Sequence, residues 1–232
     1  TFNVLVEISK KPGVPGWKDR RQACAELLRR TDADLIGLQE PLPAQVEFFL
    51  NAIPGYASVV GEGYTDAALL YKTSQFELVE KGHWWLSPTP EKRSSGFGNF
   101  LPRILVWARL KHKPSSQEMY VFNTHFDNSM PSQSRMAELC QKKLQPFMEK
   151  GLPMIWMGDF NTDQKRGRYD VLTSNGWKDA YVKAKQATPD GRDDNVITMT
   201  DGKARIDHIF YFGRGIEPTA WERLEPIDGK TL

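Results

Sequence analysis

Apolar runs and amphipathic stretches alternate along this chain, with no low-complexity linker, internal repeat or charge block between them. "TFNVLV" predicts a first strand and "KKPGVPG" a turn after it. Over 17–30, Ala23, Cys24, Leu27 and Leu28 share one helical face, which predicts an amphipathic helix. "DADLIGLQE" then reads as a short buried strand, 44–51 as a second helix, and 56–60, 67–71 and 76–81 as successive strands. Between 82 and 102 the text "GHWWLSPTPEKRSSGFGNFLP", rich in Pro, Gly, Ser and aromatics, predicts a long loop of the kind that carries function more often than it lies idle. "RILVWARL" and "EMYVFNTH" predict a hairpin, 132–150 a helix closed by Gly151, "PMIWMGD" a strand, 169–174 a short helix and "ARIDHIFYF" a late strand. Interleaved strands and helices with hairpins in the middle predict an α/β layered sandwich with mixed sheets.

Composition adds little to this picture. A chain of 232 residues with 40% apolar content can bury a sizeable core, and it reads as one domain over 1–232, incomplete at both ends. Thirty-one basic against 29 acidic side chains leave a charge of +2, too near balance to argue by itself for nucleic acid or an acidic membrane. Cys24 and Cys140 sit on helical faces without zinc spacing and are expected to be packed thiols. No apolar run reaches the length of a membrane span, and the compartment is unreadable because a secretory signal upstream is compatible with the text. A monomer is expected.

Candidate chemistry changes the picture more. Several apolar runs end in polar groups: "TFN" in Asn3, "LIGLQE" in Glu40, "YVFNTH" in Asn123 and His125, and "MIWMGDFN" in Asp159 and Asn161, while "RIDHIF" opens with Asp207. Side by side, such strand ends would gather carboxylates, amides and an imidazole in one cleft, where a cation would relieve the repulsion. The donors are mostly oxygen, which favours Mg²⁺ or Mn²⁺ over zinc. Each residue alone has a bland reading as a turn former, a strand-end cap or a structural ion pair.

"TFN", "DLIGLQE", "NTHFD", "GDFN" and "RIDHIF", in this order from Thr1 to about Phe212, resemble the endonuclease/exonuclease/phosphatase superfamily. The resemblance implies a four-layer sandwich of two mixed β-sheets flanked by helices, and a divalent-metal-dependent hydrolase of phosphate esters. A nuclease or phosphodiesterase leads, nucleic acid then being the partner. A sphingomyelinase-like or inositol-phosphatase-like enzyme, or a non-catalytic binding module, stands as the alternative. It implies that Glu40 binds the cation with Asn3 beside it, that Asp159 orients the attacking water, that Asn161 holds a phosphate oxygen, and that His125 contacts the phosphate or protonates the leaving group. Asp207 matches a carboxylate that buttresses a second histidine. Arg103, in "RILVW", and more weakly Arg135 are candidate phosphate contacts, and Trp84 a candidate wall against a base or sugar.

Two departures qualify the match. The superfamily's closing Ser-Asp-His is missing, and the text stops at "GKTL" about where it should begin, so truncation there is the expectation. His208 is no substitute, since as the neighbour of Asp207 on a strand it should point to the other face. Where many members carry a glutamate, Thr65 stands here with Asp66 beside it; Asp66 could pair with His125 only against the one-residue shift, which reverses side-chain direction in a strand.

Overall fold

The computed structural model describes residues 1–8, 14–188, 204–225 and 227. A four-stranded sheet has the order β1 (Phe2–Asn3), β2 (Leu35–Gln39), β4 (Tyr64–Lys72), β3 (Tyr56–Gly61). A six-stranded sheet runs β5 (Phe76–Trp85), β6 (Ile104–His112), β7 (Glu118–His125), β8 (Met154–Asp159), β11 (Asp207–Phe212), β9 (Lys178–Asp179). Both are mixed: β1 pairs parallel with β2 and β7 with β8, and the other pairings are antiparallel. A two-stranded ribbon joins β10 (Gln186–Thr188) to β12 (Ala220–Glu222). The helices are α1 (Trp17–Thr31), α2 (Pro43–Ala52), α3 (Met130–Met148), α4 (Gly167–Leu172) and α5 (Ala180–Lys183).

Alternation along the strands sorts the side chains into three apolar layers. Ala67, Leu69, Ile104, Val106, Val121 and Met157 pack between the two sheets. Leu38, Ala68 and Leu70 face the other way, onto Cys24 and Leu28 of α1 and Phe49 of α2. Trp107, Tyr120, Phe122, Trp156 and Phe210 lie on the outer face of the larger sheet, under Met136, Cys140, Leu144 and Phe147 of α3. The result is the expected four-layer α/β sandwich. The sheets approach closely at Gly37, where an added Cβ would meet Asn123 Oδ1 at 2.6 Å and Met157 Sδ at 2.7 Å. Both cysteines are buried free thiols.

The long elements fall where periodicity puts them, and the differences have local causes. "TFNVLV" makes only the two strand residues of β1, because Leu5 turns into the left-handed region at φ 51°. "GHWW" belongs to β5 rather than to a loop: a register irregularity between Leu78 and Glu80 lets β5 continue along β6 until Trp85 faces Ile104. The closing residues 228–232 lie outside the described residues. No helix among the described residues is long and apolar enough to cross a membrane.

Candidate active site

Register brings the polar strand ends together. Asn3 lies opposite Gln39, one residue before Glu40, and both His125 and Asp207 lie opposite Asp159. The sheets are tied across this end by Asn123, whose Nδ2 donates to the carbonyls of Leu38 (2.9 Å) and Ala68 (2.8 Å) and whose Oδ1 accepts from Gln39 Nε2 at 2.7 Å. Asn123 is therefore a structural crosspiece, buried and fully engaged.

Asn3 is the hub of the cleft. Its Nδ2 donates to Glu40 Oε1 and to Asp159 Oδ2, each at 3.0 Å, while its Oδ1 accepts from the Leu5 amide at 3.0 Å. The amide nitrogen, not the oxygen, thus faces the carboxylates. Glu40 Oε2 accepts from the Val6 amide at 3.2 Å, with Glu40 itself left-handed at φ 64°. Asp159 is 5% exposed, and its Oδ1 accepts from the Asn161 amide at 2.9 Å. Asn161, left-handed at φ 49°, donates through Nδ2 to the Phe126 carbonyl at 2.8 Å, and Gln133 of α3 donates to its carbonyl at 2.8 Å. Gly158 is required ahead of this turn, since a Cβ there would lie 2.2 Å from the Thr124 carbonyl oxygen.

His125 is buried, with Nε2 3.9 Å from Asp159 Oδ2 and Nδ1 3.2 Å from Asp66 Oδ1. An Arg103 guanidinium nitrogen approaches the same Nδ1 at 2.7 Å and donates to both Asp66 oxygens at 3.2 and 3.3 Å. A guanidinium only donates, so the neutral ring accepts from Arg103, and the protonated ring donates to Asp66 instead. Burial disfavours the charged imidazole, but the carboxylate of Asp66, helped by Asp159, outweighs burial and raises the His125 pKa. Burial likewise works against the Asp66 carboxylate, yet His125 and Arg103 hold its pKa down. Asp127, which closes "NTHFD", lies 3.7 Å from Arg103 Nε and accepts from the Ser129 amide and the Ser132 hydroxyl at the start of α3.

Asp66 reaches His125 despite the one-residue shift because β4 bulges. Val60 pairs with Ala68 and Gly61 with Tyr64, so Thr65 to Ala67 have no partners on β3 and the alternation is reset there.

Two expected substrate contacts sit elsewhere. Trp84 pairs with Leu105 and packs on Trp107 and Phe147, at ring separations of 5.8 and 5.6 Å, so it faces α3 and not the cleft. Arg135 projects from α3 into solvent beside Glu138. Of the other loop aromatics, Trp85 is buried between the sheets, Phe97 packs toward α3, and Phe100 is 97% exposed. His208 faces away from Asp207, as alternation requires, stacking on Phe210 with centroids 5.2 Å apart.

Among the described residues no group of three or more His, Cys, Asp or Glu side chains is arranged to hold a metal. Mg²⁺ takes one or two carboxylates and leaves its other positions to water and phosphate. Glu40, half-buried and oriented through both oxygens, is the carboxylate suited to it.

A four-layer α/β sandwich with carboxylates, an amide hub and a carboxylate-backed histidine at the joined strand ends defines a class of phosphoesterases. The family model described as "Endonuclease/Exonuclease/phosphatase family" matches residues 1–229, and the chain belongs to that family. Among solved structures, a mannosyl-6-phosphatase of Bacteroides thetaiotaomicron is similar at 32% identity and TM-score 0.79, over 92% of this chain and 84% of that one. D. rerio TDP2 complexed with a single-strand DNA product shares the fold at 20% identity and TM-score 0.65, over 91% of this chain and 82% of that one. An uncharacterized protein, L388, of Acanthamoeba polyphaga mimivirus is 26% identical over 215 residues, 84% of this chain and 79% of its own.

Proposed function

We propose that this chain hydrolyses phosphate monoesters of sugars with the help of a divalent cation. The observation that carries the substrate class is the 32% identity to a mannosyl-6-phosphatase over 92% of the chain. It moves the proposal away from the nuclease favoured on sequence, since the DNA-processing neighbour resembles this chain only at the level of fold. The small net charge agrees, because proteins that track a phosphate backbone generally present a basic stripe to it.

Hydrolysis forms a bond from a water oxygen to phosphorus and breaks the bond from phosphorus to the sugar oxygen, which takes its proton from solvent water as the proton lost by the attacking water passes to a carboxylate. Asp159, fixed by Asn3 and the Asn161 amide, orients the water and takes its proton. His125, whose Nδ1 is engaged by Arg103 and Asp66 while its Nε2 faces Asp159, donates through Nε2 to a phosphate oxygen as charge builds on it. A Mg²⁺ or Mn²⁺ bound at Glu40 would neutralise phosphate charge. Asn3 keeps Glu40 and Asp159 within reach of one amide despite their like charge.

The test is phosphate release from mannose 6-phosphate, glucose 6-phosphate, bis-p-nitrophenyl phosphate, single-stranded DNA and sphingomyelin, each with Mg²⁺ and with EDTA. Release from the hexose phosphates that vanishes with EDTA is expected. Cleavage of DNA with the hexose phosphates untouched would overturn the substrate class; activity indifferent to EDTA would overturn the cation.

A further inference from the structure

Arg20 is the unusual charge in this molecule. It stands on the apolar face of α1 between Trp17 and Cys24, and it is 1% exposed. Buried guanidinium groups are costly unless paired, and the usual partner is a carboxylate. Here the hydrogen bonds go to two backbone carbonyls instead: Nη1 donates to Val4 and Nη2 to Leu5, while the guanidinium lies 5.2 Å from the centre of the Trp17 ring.

Those two carbonyls belong to the turn that builds the cleft. Asn3, just before them, spans Glu40 and Asp159, and the Val6 amide, just after them, holds Glu40 Oε2. Leu5 is left-handed at φ 51°, a conformation that costs a leucine free energy and persists only where the surroundings impose it. Gln45 of α2, fully buried, grips the same turn from the other side. Its Nε2 donates to the Leu5 carbonyl at 3.3 Å, and its Oε1 accepts from the Glu7 amide at 3.2 Å and the Leu42 amide at 3.0 Å.

We propose that Arg20 and Gln45 are positioning residues for the cation: two helices clamp the strained turn at Leu5, and the clamped turn sets the carboxylate of Glu40 for metal binding. The inference rests on the cation reading above. It makes α1 and α2 part of the site although Arg20 and Gln45 bond to the turn and not to Glu40 or Asp159. Without the clamp Leu5 would relax to a right-handed or extended conformation, the Val6 amide would swing away, and Glu40 would lose one of its two fixed hydrogen bonds.

Direct Mn²⁺ titration, read by electron paramagnetic resonance or calorimetry without substrate, tests this on the whole chain. Arg20→Met, which keeps an unbranched apolar stem, and Gln45→Ala are each expected to weaken Mn²⁺ binding about 10- to 100-fold, the usual cost of losing an outer support of a ligand. Glu40→Gln should weaken it further, and adding Arg20→Met to Glu40→Gln should cost little more. If Arg20→Met fails to fold by circular dichroism, Gln45→Ala decides. Mn²⁺ affinity in the folded variants within about twofold of the unmutated chain would overturn the clamp. No Mn²⁺ binding by the unmutated chain would overturn the cation reading, and the clamp's purpose with it.

Discussion

The six-stranded sheet carries the same trio of residue types on both faces. On the inner face, Arg103 approaches His125 Nδ1 at 2.7 Å and Asp66 lies 3.2 Å from that nitrogen. On the outer face, Arg205 approaches His208 Nδ1 at 2.7 Å and Asp179 lies 3.4 Å from it. Both histidines are buried, yet the pKa of His125 is raised and that of His208 lowered. The difference is what else the carboxylate serves. Asp179 already accepts from Arg205 at 2.6 Å, from the Tyr169 hydroxyl at 2.7 Å and from the Tyr181 amide at 2.9 Å, so burial dominates and His208 stays neutral. Its Nε2 then donates to the Thr162 carbonyl at 2.8 Å. Asp66 is held by longer contacts, and Asp159 adds a second carboxylate beyond the ring, so the balance tips the other way and the His125 pKa is raised. A saturated trio braces the fold; one left open to a cleft is available for chemistry.

The largest expected effects would break this contrast if it is false. Asp159→Asn should lower turnover on the hexose phosphate by about 10²- to 10³-fold with urea unfolding unchanged. Asp179→Asn should do the opposite, costing about 3–5 kcal/mol of stability because Arg205 is left buried without its carboxylate. Paired steady-state assays and urea melts measure both. An Asp179→Asn variant that unfolds normally but turns over slowly would make the outer trio part of the chemistry.

Trp84 sharpens the same division of faces. Packed against Trp107 and Phe147 under α3, it should cost about 3 kcal/mol as Trp84→Ala while KM and kcat hold. A raised KM at unchanged stability would return it to the substrate wall that its sequence surroundings suggested.

How far the sequence could be read follows from what periodicity encodes. Apolar alternation gave the long strands and helices, and polar strand ends gave Asn3, Glu40, His125, Asp159 and Asn161, because a carboxylate or amide closing an apolar run is visible in one dimension. Asp66 was half legible, since its pairing depends on a bulge that no local signal announces. Asp127 was not legible because nothing local announces its approach to Arg103, far back along the chain, although it also accepts from Ser132 Oγ beside the start of α3. Arg20 was passed over within a helix recognised for its apolar face, although a charge between Trp17 and Cys24 was itself the signal. Trp84 was misplaced with the loop because a register irregularity, invisible in composition, extends β5 by four residues beyond the predicted strand.

The smallest expected effect is in pH, and here the two histidines act with opposite sign. His208 has a lowered pKa in the fold, so below its unfolded value of about 6.5 the unfolded chain takes up a proton the fold refuses, and stability falls as pH falls. The carboxylate of Asp179, opposed by burial but held low by the charge and hydrogen bonds of Arg205, adds a further loss below about 3.9. His125 has a raised pKa, so its contribution is complete below about 6.5 and is lost as pH rises through the folded value. Stability measured by urea unfolding should therefore peak near about pH 6.5. His208→Asn should flatten the first step of the acid limb and His125→Asn the alkaline limb. If each variant flattened the other limb, the roles assigned to the two faces would be reversed.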